Sequence, residues 1–115
     1  MRKILYKGDH TYVAQSLNGV GFGYEALRNY VKAAEYYTEA LAMALRLVQN
    51  KTQAHLGEYQ KNMINIIGIL SERESVLGTK AVQELQNLYE TKLGKEDERT
   101  IEFLTAIGRQ PTASL

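Results

Sequence analysis

The chain has 115 residues, 44% hydrophobic and 23% charged, which suits one small buried core and excludes a two-domain enzyme. With 14 Lys+Arg against 13 Asp+Glu the formal charge is +1, so no general excess of charge is available to hold nucleic acid or an anionic membrane. The absence of cysteine removes disulfides, Cys-based zinc sites and thiol nucleophiles together, and leaves the redox compartment unread.

A single proline, Pro111, and plentiful Ala, Leu, Glu, Lys and Gln favour helix throughout. No apolar run approaches the roughly 18 residues of a membrane span, and Met1 to Tyr6 is too short for a signal peptide. From Val13, the residues Leu17, Val20, Gly21, Tyr24 and Leu27 follow at helical offsets as one buried stripe, predicting a helix at about 12–27. Arg28-Asn29 breaks the pattern, with Asn29 as an N-cap. A second stripe of Tyr30, Ala33, Ala34, Tyr37, Ala40, Leu41, Ala44 and Val48 predicts the strongest helix, about 30–48.

Asn50-Lys51-Thr52 is a polar joint, after which Leu56, Tyr59, Met63, Ile66, Ile67 and Leu70 predict a third helix at about 53–72. Gly78-Thr79 resets the chain, with Thr79 read as an N-cap. Val82, Leu85, Leu88, Tyr89 and Leu93 then mark a fourth helix to about residue 92, closed by Gly94. Asp97 caps a final helix carrying Ile101, Leu104 and Ile107, and 111–115 is expected to be a flexible tail. No segment alternates apolar and polar residues between turn signals, so the fold class is all-α.

A repeat lies inside this pattern. Leu17-Asn18-Gly19-Val20-Gly21 recurs as Ile64-Asn65-Ile66-Ile67-Gly68 and as Leu104-Thr105-Ala106-Ile107-Gly108, its closing glycines 47 and then 40 positions apart, a helical-hairpin period. Gly19, Gly21 and Gly23 each cost a helix interior about 1 kcal/mol relative to alanine. Close helix packing offsets that loss at Gly21, which faces Ala33, Ala34 and Ala40 with Tyr24 and Tyr37 filling the space beside them. Tyr30 and Tyr37 are expected in the core, and Tyr36 partly exposed.

Asp9-His10, Val13-Ala14, Ser16-Leu17-Asn18, Gly21, Tyr24, Tyr30, Ala33, Tyr36-Tyr37 and Ala40-Leu41 resemble one complete tetratricopeptide repeat, of the longer variety found in kinesin light chains. Leu93-Gly94, Asp97, Thr100 and Leu104 through Gly108 are similar to the opening of a further repeat. A degraded middle copy keeps Ile64, Asn65, Ile67, Gly68, Ala81, Leu85 and Leu88, with one residue too many between Gly68 and Ala81. Arg28 departs from the family, which usually has glycine in that turn, as does Gly19, where asparagine is common. The resemblance implies one domain over 1–110, with repeat one at 9–48, repeat two at 53–93 and a half repeat at 97–110. These units would be antiparallel hairpins stacked as a short right-handed solenoid.

In such a stack the first helix of each pair lines the concave side. That face presents Gln15, Asn18, Phe22 and Glu25 in the first copy and Asn62, Asn65, Ile69 and Glu72 in the second. Amides can offer both a donor and an acceptor to an extended peptide backbone, and Phe22 and Ile69 supply apolar contact. The expected function is therefore a cytoplasmic protein-interaction module that takes a peptide or helix from another protein. The alternative is a structural, self-assembling module. Apolar residues at both ends (Ile4, Leu5, Tyr6; Ile101, Phe103, Leu104, Ile107) favour a homo-oligomer.

Enzymatic and cofactor chemistry find no foothold. Gly19-Val20-Gly21-Phe22-Gly23 has Tyr24 where a dinucleotide loop needs glycine, and Gly78-Thr79-Lys80 is in the wrong order for a phosphate loop. His55 and Glu58 lie three apart, yet no second helical pair accompanies them for a metal. Glu72 and Glu74, and Glu96 to Glu98, sit at helix ends where solvation and capping explain them. Ser16, Ser71 and Ser75 have no histidine at motif spacing, and no predicted helix is basic on one face, as a nucleic-acid reader requires. No catalysis, cofactor, metal, nucleic acid or membrane is expected.

Overall fold

The structure, a computed structural model, describes residues 10–50, 53, 55–70 and 78–112. The apolar periodicity is expressed there as five helices: α1 (Thr11–Ala26), α2 (Tyr30–Arg46), α3 (Leu56–Ile69), α4 (Thr79–Lys92) and α5 (Glu98–Ala106). None of them is long and apolar enough to cross a membrane.

Local chemistry sets the helix ends. Nδ1 of His10 accepts from the main-chain N–H of Tyr12 at 3.1 Å, Oδ1 of Asn29 from that of Lys32 at 3.3 Å, and Oδ1 of Asp97 from that of Arg99 at 2.9 Å. The α1–α2 turn is tied by the N–H of Arg28 donating to Glu25 O and that of Asn29 donating to Tyr24 O, both at 2.9 Å. This geometry requires a left-handed residue at 28, and Arg28 supplies it at φ +61°. The expected cap at Thr79 is corrected: Gly78, at φ +80°, is the capping residue and Thr79 opens the helix. α3 starts later than expected because His55 stands at φ +69°, which cannot continue a helix backwards to residue 53. The predicted extension to residue 72 lies outside the described residues.

α2 is the central element. Ala33, Ala34, Tyr37, Ala40, Leu41 and Leu45 are inaccessible to solvent, because α1 packs along one side of it while α3 and α4 pack on others. Fully burying a Leu or an aromatic ring contributes roughly 1.5–3 kcal/mol, so Tyr37, Leu41 and Leu45 dominate this junction. α3 and α4 have little close backbone contact and meet through side chains. The hydroxyl of Tyr89 donates to Oε1 of buried Gln60 at 2.6 Å, and Nε2 of Gln60 donates to Glu102 at 3.0 Å. Tyr89 stacks on Phe103 with centroids 4.7 Å apart, locking α5 against the same junction.

Several expectations are corrected. Val20 and Leu27 belong to the predicted stripe but are exposed, Leu27 to 78%, because among the described helices only α2 packs along α1. Tyr30 is half-buried at the start of α2, where α1 has already ended. Of the C-terminal apolar residues read as favouring a homo-oligomer, Phe103, Leu104 and Ile107 are buried within the chain, and only Ile101 is open, to 46%. The tail is not loose at residue 112, whose N–H donates to Glu90 at 2.7 Å; residues 113–115 lie outside the described residues. The three glycines of the repeat also have different surroundings. Gly21 is packed, Gly68 has open space beside it, and Gly108 sits at φ +74° beyond the end of α5.

Candidate functional site

Two helix edges with one spacing define a groove. Gln15, Asn18, Gly19 and Phe22 of α1 face His55, Glu58, Tyr59 and Asn62 at the start of α3, enclosing about 310 Å³. Each set follows i, i+3, i+4, i+7, so each forms a continuous edge. Nδ2 of Asn62 donates to Oδ1 of Asn18 at 3.1 Å, joining the edges at one point. Phe22 is 64% exposed at the rim, an aromatic ring with no core role.

Four of the eight residues expected on the binding face, Gln15, Asn18, Phe22 and Asn62, line this groove. The others do not. Glu25 is half-buried and accepts from the Tyr37 hydroxyl at 2.6 Å, a contact that ties α1 to α2. Asn65 and Ile69 are exposed further along α3, and Glu72 lies outside the described residues. The sequence repeat aligns Asn65 with Asn18, whereas Asn62, one turn earlier, is the residue that meets it. Gly19, His55, Glu58 and Tyr59 were not expected in the site. The signal that places the last three is their i, i+3, i+4 spacing relative to Asn62, matching that of α1.

The α3 edge has distinctive chemistry. His55 stacks on Tyr59 with centroids 6.1 Å apart, and its Nδ1 lies 3.4 Å from the Glu58 carboxylate. Tyr59 is almost wholly buried, and its hydroxyl has no hydrogen-bond partner among the described residues. Burial, and secondarily the charge of Glu58, raises the Tyr59 ionisation above the ordinary phenol value, so the hydroxyl stays protonated as a donor. An orphaned buried hydroxyl costs about 1–3 kcal/mol.

A second depression of about 280 Å³ lies between α2 and α4, where Arg46 pairs with Glu84 at 3.4 Å beside Thr38 and Met43. Its ion pair is internal to the chain. Among the described residues no three His, Asp or Glu side chains converge in a manner suited to a metal ion. Comparison of the chain with protein-family models, curated proteins and solved structures gives no match.

Proposed function

We propose that the chain is a non-catalytic protein-interaction module of tetratricopeptide-like helical hairpins, binding an extended peptide or a helix of another protein in the α1–α3 groove. The observation that carries this reading is the exposed Phe22 ring at the mouth of a groove whose walls hold the three amides of Gln15, Asn18 and Asn62. Such a lining combines apolar contact with donors and acceptors for a peptide backbone. In this reading the groove belongs to the concave side of a short solenoid, and the module works in the cytoplasm without cofactor, nucleic acid or membrane.

The test is panning of a random-peptide phage library against the chain, followed by binding of selected synthetic peptides to the wild type and to Phe22→Ser. Peptides that lose affinity for a normally folded Phe22→Ser variant support the groove. Peptides insensitive to it place binding elsewhere.

A second reading, self-assembly, is favoured by one observation: Tyr12 and Val20 on α1, and Leu27 at its C-cap, are exposed beside Gly19 and Gly23, which have open space around them. Sedimentation equilibrium separates the two, because a homo-oligomer held by α1 changes mass with concentration and with Leu27→Ser.

A further inference from the structure

We propose that the edge of α4 formed by Gln83, Gln86 and Glu90 is a second peptide site, which takes an Arg-X-Pro-X segment of another chain and is covered here by the chain's own residues 109–112. It lies apart from the α1–α3 groove and does not depend on it.

The chain displays the ligand chemistry on itself. Beyond α5 the backbone turns at Gly108, φ +74°, and crosses α4 outside any helix. One guanidinium nitrogen of Arg109 donates to Oε1 of Gln83 at 3.2 Å and to Oε1 of Gln86 at 3.1 Å. Nε2 of Gln86 donates to the main-chain carbonyl of Gln110 at 3.0 Å, and the main-chain N–H of Thr112 donates to Glu90 at 2.7 Å. Between these two groups stands Pro111, which has no N–H to leave unsatisfied and biases residue 110 toward an extended backbone. The α4 side chains thus recognise a cation and two main-chain groups in a fixed order.

The edge is fixed from within α4. Nε2 of Gln83 donates to Asn87 at 3.0 Å and Nε2 of Gln86 also to Glu90 at 3.2 Å, each one turn further on, which leaves both Oε1 atoms as acceptors for a cation. Burial opposes ionisation of Glu90, but the hydrogen bonds from Thr112 and Gln86 and the charge of Lys95 hold it below the ordinary carboxylate range, as an anionic acceptor. The present occupant is lightly held by comparison. Gln110, Pro111 and Thr112 are exposed, and residues 109–112 bury no apolar side chain of their own. A few polar contacts stand against the entropy of ordering the segment, so its docking is a reversible equilibrium in which another chain can compete.

The experiment frees the edge in the full chain with Arg109→Ala and Thr112→Pro, which remove the guanidinium and the N–H donor, and adds an acetylated, amidated peptide reproducing residues 108–112. Thr112→Pro alone, at an exposed position, serves if the double variant loses helix content. Without the tether to α5 the peptide should bind in the millimolar range, with NMR shifts centred on the side-chain amides of Gln83 and Gln86 and on the main chain at Glu90. The wild type, whose own segment fills the site, should bind it about twofold to tenfold more weakly. Glu90→Gln in the freed chain should weaken binding about threefold to tenfold. Equal affinity of the wild type and the freed chain would overturn the proposal. So would an absence of α4 shifts, or equal binding of a peptide that itself carries both substitutions, and residues 109–112 would then be a structural tie between α5 and α4.

Discussion

Gly21 and Tyr37 are in contact so close that no other residue fits at position 21: a Cβ there would lie 2.7 Å from Cδ1 and 2.8 Å from Cε1 of the tyrosine ring. The ring cannot retreat, being fully buried and fixed through its hydroxyl to Glu25 at 2.6 Å. Gly21→Ala is therefore expected to destabilise by about 1–3 kcal/mol despite alanine's better helix propensity. Gly23, with open space beside it, should gain about 0.5–1 kcal/mol on the same change. Urea midpoints of the two variants on opposite sides of the wild type would bear this out.

Arg28 occupies a left-handed position, φ +61°, in the turn that closes α1. A residue with a Cβ loses about 1–2 kcal/mol there, partly recovered because glycine is more flexible when unfolded. Arg28→Gly should raise stability by about 0.5–1 kcal/mol, measured as an upward shift in Tm, without altering helix content by circular dichroism.

Alkaline pH should unfold the chain earlier than ordinary tyrosines would allow. Burial first, then the hydrogen bond to Glu25 and its charge, pushes the Tyr37 phenol well above its usual value of 10.0; burial first, then Glu102, does the same to Tyr89. The unfolded chain thus releases these protons before the folded one, so their contribution is intact below about pH 10 and is lost as pH rises beyond it. Each phenol should add a slope of about 1.4 kcal/mol per pH unit. Tyr37→Phe should flatten the dependence of the urea midpoint on pH, and an unchanged slope would contradict it.

α5 separates a folding role from a surface one. Leu104→Ser empties a fully buried position and should cost about 2–5 kcal/mol, while Ile101→Ser should stay within about 0.5 kcal/mol. If Ile101 joined copies of the chain, sedimentation equilibrium of Ile101→Ser would show a lower mass; an unchanged mass with unchanged stability assigns it to a simple solvated position.

The helices were legible because their signals are local: Asn29 and Asp97 cap where capping residues are expected, and α2 shows its buried face through Ala33, Tyr37 and Leu41. Gly21 was legible too, since an interior glycine on a buried stripe implies close approach. The backbone at His55 was not. Histidine is enriched at such a φ but adopts it too rarely for +69° to be read from the sequence, and this backbone is what shortens α3. The repeat pairs equivalent positions and says nothing of contacts: Asn65 corresponds to Asn18 in sequence, while Asn62 is the residue that donates to Asn18 across the two helices. Gln60 was overlooked because a polar residue on a helix reads as solvated until its partners, Tyr89 and Glu102, arrive from distant helices.

The central claim is that the α1–α3 groove is where a peptide binds, and an NMR titration of the isotope-labelled chain with a panned peptide tests it directly. The account predicts chemical-shift changes centred on Asn18, Phe22, His55, Glu58, Tyr59 and Asn62, with the amides around Thr38, Arg46 and Glu84 in the α2–α4 depression unmoved. Shifts centred on that second depression, or on the exposed α1 face at Val20 and Leu27, would contradict it.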